Sequence, residues 1–264
     1  MSKGLSGMGA KSLRAILLGT FVTLVLAAAG QIATAQSSMR PAIGGIGELP
    51  DAMIFYVAHG KDGACGPACS DWIAAEGTVQ WDTHKRLIAI LDRFGERKLP
   101  LVINSRGTSN LNVAVSLGRI LHERGIDTTE GATSVAACAG KAEAECFALK
   151  RPGGPLEATL DTKEAECDLA CVLILAGGIH RSLPPGTRVI LTGMEIHNRV
   201  APNVSQERRD GLTTLYGQQF RVYLRQMGID TELLDLVDRN AERHSATEIP
   251  PSDWTRLHIV TTGP

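Results

Sequence analysis

The residues whose types and spacing could do chemistry cluster first around a turn. Leu101, Val102 and Ile103 form a short apolar run that breaks at Asn104-Ser105-Arg106-Gly107-Thr108-Ser109-Asn110. The apolar pattern restarts with Val113, Leu117, Ile120 and Leu121 at helical spacing, so the stretch reads as strand, tight turn and helix. Backbone amides that open a helix have no intrahelical partner. They can point at a phosphate or at the oxyanion of an acyl-transfer intermediate. The same pattern also describes an ordinary strand-to-helix connection.

The second set of reactive side chains is six cysteines: Cys65, Cys69, Cys138, Cys146, Cys167 and Cys171. How they are read depends on the compartment. Lys3, Lys11 and Arg14 precede an uncharged apolar run from Ala15 to Ala29, and Ala33-Thr34-Ala35 offers a small-x-small cleavage site. Residues 1–35 therefore read as a signal peptide, with Gln36 as the mature N-terminus. The run is short for a membrane span, so no stable span is expected after cleavage, and the location is periplasmic or secreted. In an oxidising compartment an even set of cysteines suits disulfides. A Cys65–Cys69 bridge over Gly66-Pro67 is the expected local pairing, and the other four cysteines admit three connectivities. Two C-x-x-x-C pairs could instead offer four thiolates to zinc, but they lie far outside zinc-finger spacing. No metal and no cofactor is expected. Removing three positive charges takes the formal charge from -1 to about -4, and no basic patch for nucleic acid is visible.

These residues need a scaffold, and 264 residues with 44% hydrophobic content can bury one substantial core. Residues 36–52 read as a flexible lead-in and 53–264 as one domain. In order, the patterns predict a strand over Met53–Ala58, the loop with Cys65 and Cys69, a strand over Trp72–Val79 and a helix from Asp82 to Phe94. Asp82 or Thr83 is placed to cap that helix. The strand Leu101–Asn104 feeds a helix running to about His122, and Ile126–Thr129 makes a short strand. Gly131 to Glu166 shows no regular pattern. Cys167 to Gly178 is compact and apolar, either helix or strand. Thr187–Leu191 is a strand, and Ser205 caps a long helix whose buried stripe is Leu212, Leu215, Tyr216, Phe220, Tyr223, Leu224 and Met227, closed by Gly228. A helix at Leu233–Val237 and a tail of turn, brief helix and last strand complete an α/β fold.

Three segments taken together, Ile103–Thr108, Cys167–Gly178 and Glu195–Asn198, resemble in order and spacing the signature segments of the Clp protease proteolytic subunit. That places the similarity within the ClpP/crotonase superfamily, closest to an exported bacterial branch. The resemblance implies a single-domain, repeated β-β-α superhelix and a tendency to form homo-oligomers. It also implies an oxyanion hole at Gly107, Thr108 and Ala170, a nucleophile on the second segment, and His197 as base. Asp235, Asp238, Glu242 and Glu248 are the downstream candidates for the acid.

The chain departs from that pattern at its chemical centre. Leu169 occupies the nucleophile position, and no serine lies between Ser134 and Ser182. Leucine cannot attack a carbonyl, and a triad without its nucleophile retains only residual catalysis. Thr108 stands where the family has a second glycine; a positive φ there would strain a β-branched residue. Two functions are expected from this reading. One is a non-catalytic binding or assembly module, with a peptide or protein as the expected partner. The alternative is a serine-peptidase-like hydrolase acting on peptide or acyl substrates through another nucleophile.

Overall fold

The computed structural model describes residues 51–95, 97–163, 165–192, 205–243 and 246–261. The leader, most of the lead-in and His197 lie outside the described residues.

The chain begins with β1 (Ile54–His59) and β2 (Asp71–Gly77), an antiparallel pair in which Ile54 faces Glu76 and His59 faces Asp71. Helix α1 (Thr83–Phe94) returns the chain to β3 (Leu101–Ser105), and α2 (Leu111–Arg124) returns it to β4 (Thr128–Glu130). Each return sets the next strand parallel to the last, Ile73 beside Leu101 and Leu101 beside Thr128. The order then runs β5 (Ala132–Val135), α3 (Glu143–Lys150), β6 (Leu156–Asp161), β7 (Glu166–Cys167) and α4 (Leu169–Leu175). It ends β8 (Arg181–Ser182), β9 (Arg188–Leu191), α5 (Gln206–Gln226), α6 (Glu232–Arg243), β10 (Thr247–Ile249) and α7 (Pro251–Arg256). One sheet has the order β5-β6-β1-β2-β3-β4-β8, and a smaller one the order β10-β9-β7. The chain is thus a mixed α/β fold.

Both faces of the large sheet are covered, as its near-continuous apolar strands require. Phe55, Val57, Ile73, Ala75, Leu101 and Ile103 point into the main core with the helices. The alternate residues Tyr56, Ala58, Trp72, Ala74 and Val102 point into a second cluster with Val135 and Ala158. This second cluster corrects the reading of Gly131–Glu166 as irregular. Within that stretch β5 pairs with β6, a 3-10 turn and α3 follow β5, and Cys138 bridges to Cys146. Its strands are short and depend on pairing partners distant in sequence, so no periodicity announces them.

Caps explain where the helices start and stop. Asn110 accepts a hydrogen bond from the Val113 amide at 3.2 Å, and Gly125, at φ 66°, closes α2. Ser205 caps α5 as expected, accepting from the Arg208 amide. Asp82 does not cap α1; its carboxylate takes both guanidinium ends of Arg86, while the Thr83 hydroxyl accepts from the Gln80 amide at 2.7 Å. On α5, Phe220, Tyr223 and Leu224 are buried, but Leu215 is 50% exposed, so the apolar stripe is narrower than predicted; the side chain of Leu212 lies outside the described residues. The tail forms α7 but no last strand. Ile259 and Val260 are instead buried as irregular chain.

Within Cys167–Gly178, Leu169–Leu175 resolves as helix α4, while Cys167 ends β7. All seven residues of α4 are buried, and each fully buried leucine or isoleucine stabilises the fold by roughly 1.5–3 kcal/mol. Cys65–Cys69 forms as predicted, and the other cysteines pair as Cys138–Cys146 and Cys167–Cys171. Every cysteine is therefore bridged, which suits an exported protein and leaves no thiolate for zinc. Among the described residues no helix is long and apolar enough to cross a membrane.

Candidate functional site

The turn after β3 and the start of α4 meet at the carboxyl ends of the parallel strands. The turn is held down at both ends: the Arg106 amide donates to the Gly77 carbonyl at 3.1 Å, and the Asn110 amide to the Val79 carbonyl at 2.9 Å. Gly107 takes the left-handed conformation, φ 65°, and a Cβ there would stand 3.1 Å from the Thr78 hydroxyl. Thr108 is not in that region, so the strain expected at a β-branched residue does not arise. Both residues are exposed.

Helix α4 is capped by Asp168, whose Oδ1 accepts the Cys171 amide at 2.8 Å. The Ser105 hydroxyl is near enough to the same carboxylate to favour its charged form. Ser105 Oγ lies 3.4 Å from Ser109 Oγ, which accepts the Val79 amide at 3.1 Å. Polar contacts thus tie the segment after β2 to the turn, beside the start of α4. Burial pushes the Asp168 carboxyl up; hydrogen bonds from Cys171, Ala170 and Ser105 pull the other way, and Glu166 adds to the rise.

Leu169 sits in the first turn of α4, 5% exposed, with its side chain in the main core. Ala170 beside it is buried as well, and the Cys167–Cys171 bridge straddles both. Position 169 thus lies within the packed interior between the sheet and the helices. Among the described residues no histidine hydrogen-bonds Ser105 or Asp168. Of the four acid candidates, Asp235 and Asp238 pair with Arg221 at 2.6 and 2.7 Å. Glu248 pairs with Arg188 at 3.1 Å, and the side chain of Glu242 lies outside the described residues. The three described ones are surface ion pairs.

Sequence reasoning passed over Ser105 and Asp168, although an aspartate directly before an apolar run is a helix-start signal. It also passed over Glu130, the last residue of β4, which is 2% exposed. Its hydrogen bond is from the Thr187 hydroxyl, at 3.5 Å. Burial raises its pKa to about 7 despite that bond. The folded state therefore holds this proton more tightly than the unfolded chain does. Stability is greatest below the unfolded carboxyl range and falls as pH rises through about 7, by about 3 kcal/mol at full ionisation. Urea unfolding at pH 5 and pH 8 should show that loss, and Glu130→Gln should remove most of it; an unchanged pH dependence in the variant would assign the loss elsewhere.

No family model, curated protein or solved structure matches the chain.

Proposed function

We propose that the chain is an exported scaffold of the ClpP/crotonase type, a repeated β-β-α superhelix, that binds a peptide or protein partner and performs no acyl transfer. The observation that carries this reading is the burial of Leu169: the nucleophile position is filled by a side chain without a hydroxyl, packed in the core. No base can activate it. In this reading the turn around Gly107 and Thr108 survives as a rigid, exposed rim. Trp81, 62% exposed and two residues beyond the Val79 contacts that hold the turn, supplies an aromatic anchor there. The Lys85 ammonium lies 5.1 Å from the centroid of its ring. An aromatic face flanked by a cation suits a protein or peptide surface. A homo-oligomer is part of the same reading.

Ser105 favours one second reading, a serine-peptidase-like hydrolase. Its hydroxyl lies near a carboxylate, Asp168, beside the exposed turn. Hydrolysis of a p-nitrophenyl ester and of labelled casein separates the two. The scaffold reading expects the wild type and Ser105→Ala to match the buffer blank. Turnover that Ser105→Ala abolishes would establish the hydrolase.

A further inference from the structure

The three disulfides differ in what they hold. Cys167–Cys171 lies in the core, both residues fully buried. Cys138–Cys146, also half-buried, joins the 3-10 turn to α3, two elements with no strand pairing of their own. Cys65–Cys69, half-buried, closes a loop that is already closed without it. β1 and β2 pair up to His59 and Asp71, and the Gly60 amide continues the pairing to the Ser70 carbonyl at 2.8 Å. Inside the loop the Cys65 amide donates to the Cys69 carbonyl and the Cys69 amide to the Gly66 carbonyl. A cross-link stabilises mainly by restricting the unfolded chain, and one spanning so few residues restricts it little.

The surroundings of this bond suit its opening. Both sulfurs lie 3.6 Å from the Asp71 carbonyl oxygen, so each thiol would find an acceptor in place once the bond is cut. The Asp71 carboxylate holds His59 at 2.6 Å and also binds Arg97, which brings two cationic groups to the residue the sulfurs touch. Asp71 holds the proton on His59 above the usual imidazole range, and Glu157 and Asp62 act in the same direction. These ion pairs fix Asp71, and with it the carbonyl oxygen that faces both sulfurs. Ala68, between the two cysteines, sits at φ 57°, a left-handed conformation that a non-glycine residue adopts at a cost and that an open loop need not keep.

The geometry points to Cys65–Cys69 as a thiol–disulfide exchange site, opened by a dithiol while the other two bridges stay closed. One thiolate of the dithiol attacks one Sγ. The Sγ–Sγ bond breaks, a mixed disulfide forms, and the other sulfur leaves as a thiolate that takes up a proton. The second thiolate of the donor then attacks the mixed disulfide. The donor ends as a disulfide, and this chain gains two electrons and two protons as two thiols.

Dithiothreitol is the probe. The folded, oxidised protein is incubated with it, quenched with an alkylating agent at intervals and mapped by peptide mass. Cys65 and Cys69 should be labelled at least tenfold faster than Cys138 and Cys146, while circular dichroism stays native. Cys65→Ser with Cys69→Ser should leave the melting temperature within about 2 °C of the wild type. Opening no faster than at Cys138–Cys146, opening only as the fold is lost, or a large fall in melting temperature in the double serine variant would each overturn the assignment.

Discussion

Exchanging Gly177 for alanine is expected to cost about 4 kcal/mol, a large share of the stability of a domain this size. A Cβ at Gly177 would stand 2.0 Å from the Gly118 carbonyl oxygen and 2.5 Å from its Cα. Those are backbone atoms of α2, so no side chain can swing aside; the end of α4 would have to lift off. The neighbouring contacts leave no slack. A Cβ at Gly118 would meet Tyr223 Oη at 1.8 Å, and that hydroxyl donates to the Leu173 carbonyl at 2.8 Å. Gly211→Ala, on exposed α5 with nothing within 4 Å of the added carbon, is the control. It should gain up to about 1 kcal/mol from helix propensity. Urea midpoints for the two variants measure both; a Gly177→Ala midpoint near the wild type would show that α4 and α2 are loosely packed.

Arg181→Met should cost about 3 kcal/mol and loosen the C-terminal segment. Arg181 is 7% exposed and binds main-chain oxygens: Nε donates to Ile259 at 3.1 Å, Nη2 to His258 at 3.1 Å, and Nη1 to Met227 at 3.2 Å and Gly178 at 3.3 Å. Burial lowers its pKa, and carbonyl dipoles from three parts of the chain compensate the charge. Methionine fills a similar space but leaves those carbonyls without their donor, and an unpaired buried carbonyl costs about 1–3 kcal/mol. The Thr261 amide, which donates to the Arg181 carbonyl at 3.0 Å, and the Ile259 amide should exchange hydrogen faster in the variant. Unchanged exchange at residues 257–261 would mean that this segment is held by Trp254 and Leu257 packing alone.

What the sequence made legible follows from how local each signal is. Strands β1, β2 and β3 and helices α1 and α2 carry their own periodicity and were readable to within a few residues. Asn110 and Ser205 cap as their types dictate. The segment 131–166 was not readable, because β5 is defined by its pairing with β6 and not by its own four residues. The same applies to the site. The turn was visible through Gly107, and the apolar start of α4 through Leu169. The link from Ser105 to Asp168 joins residues far apart in the chain, and the burial of Glu130 depends on Thr187; no spacing rule connects either pair. Arg181 was invisible for a further reason: its partners are carbonyl oxygens, which every residue has.

The account rests on position 169 having no chemistry to offer, and a serine-directed fluorophosphonate tests that most directly. The folded protein is incubated with the probe and its intact mass recorded, with a heat-denatured sample alongside. The predicted result is an unchanged mass in both. One adduct per chain on the folded protein, absent after denaturation, would show an activated hydroxyl in the fold and contradict the account.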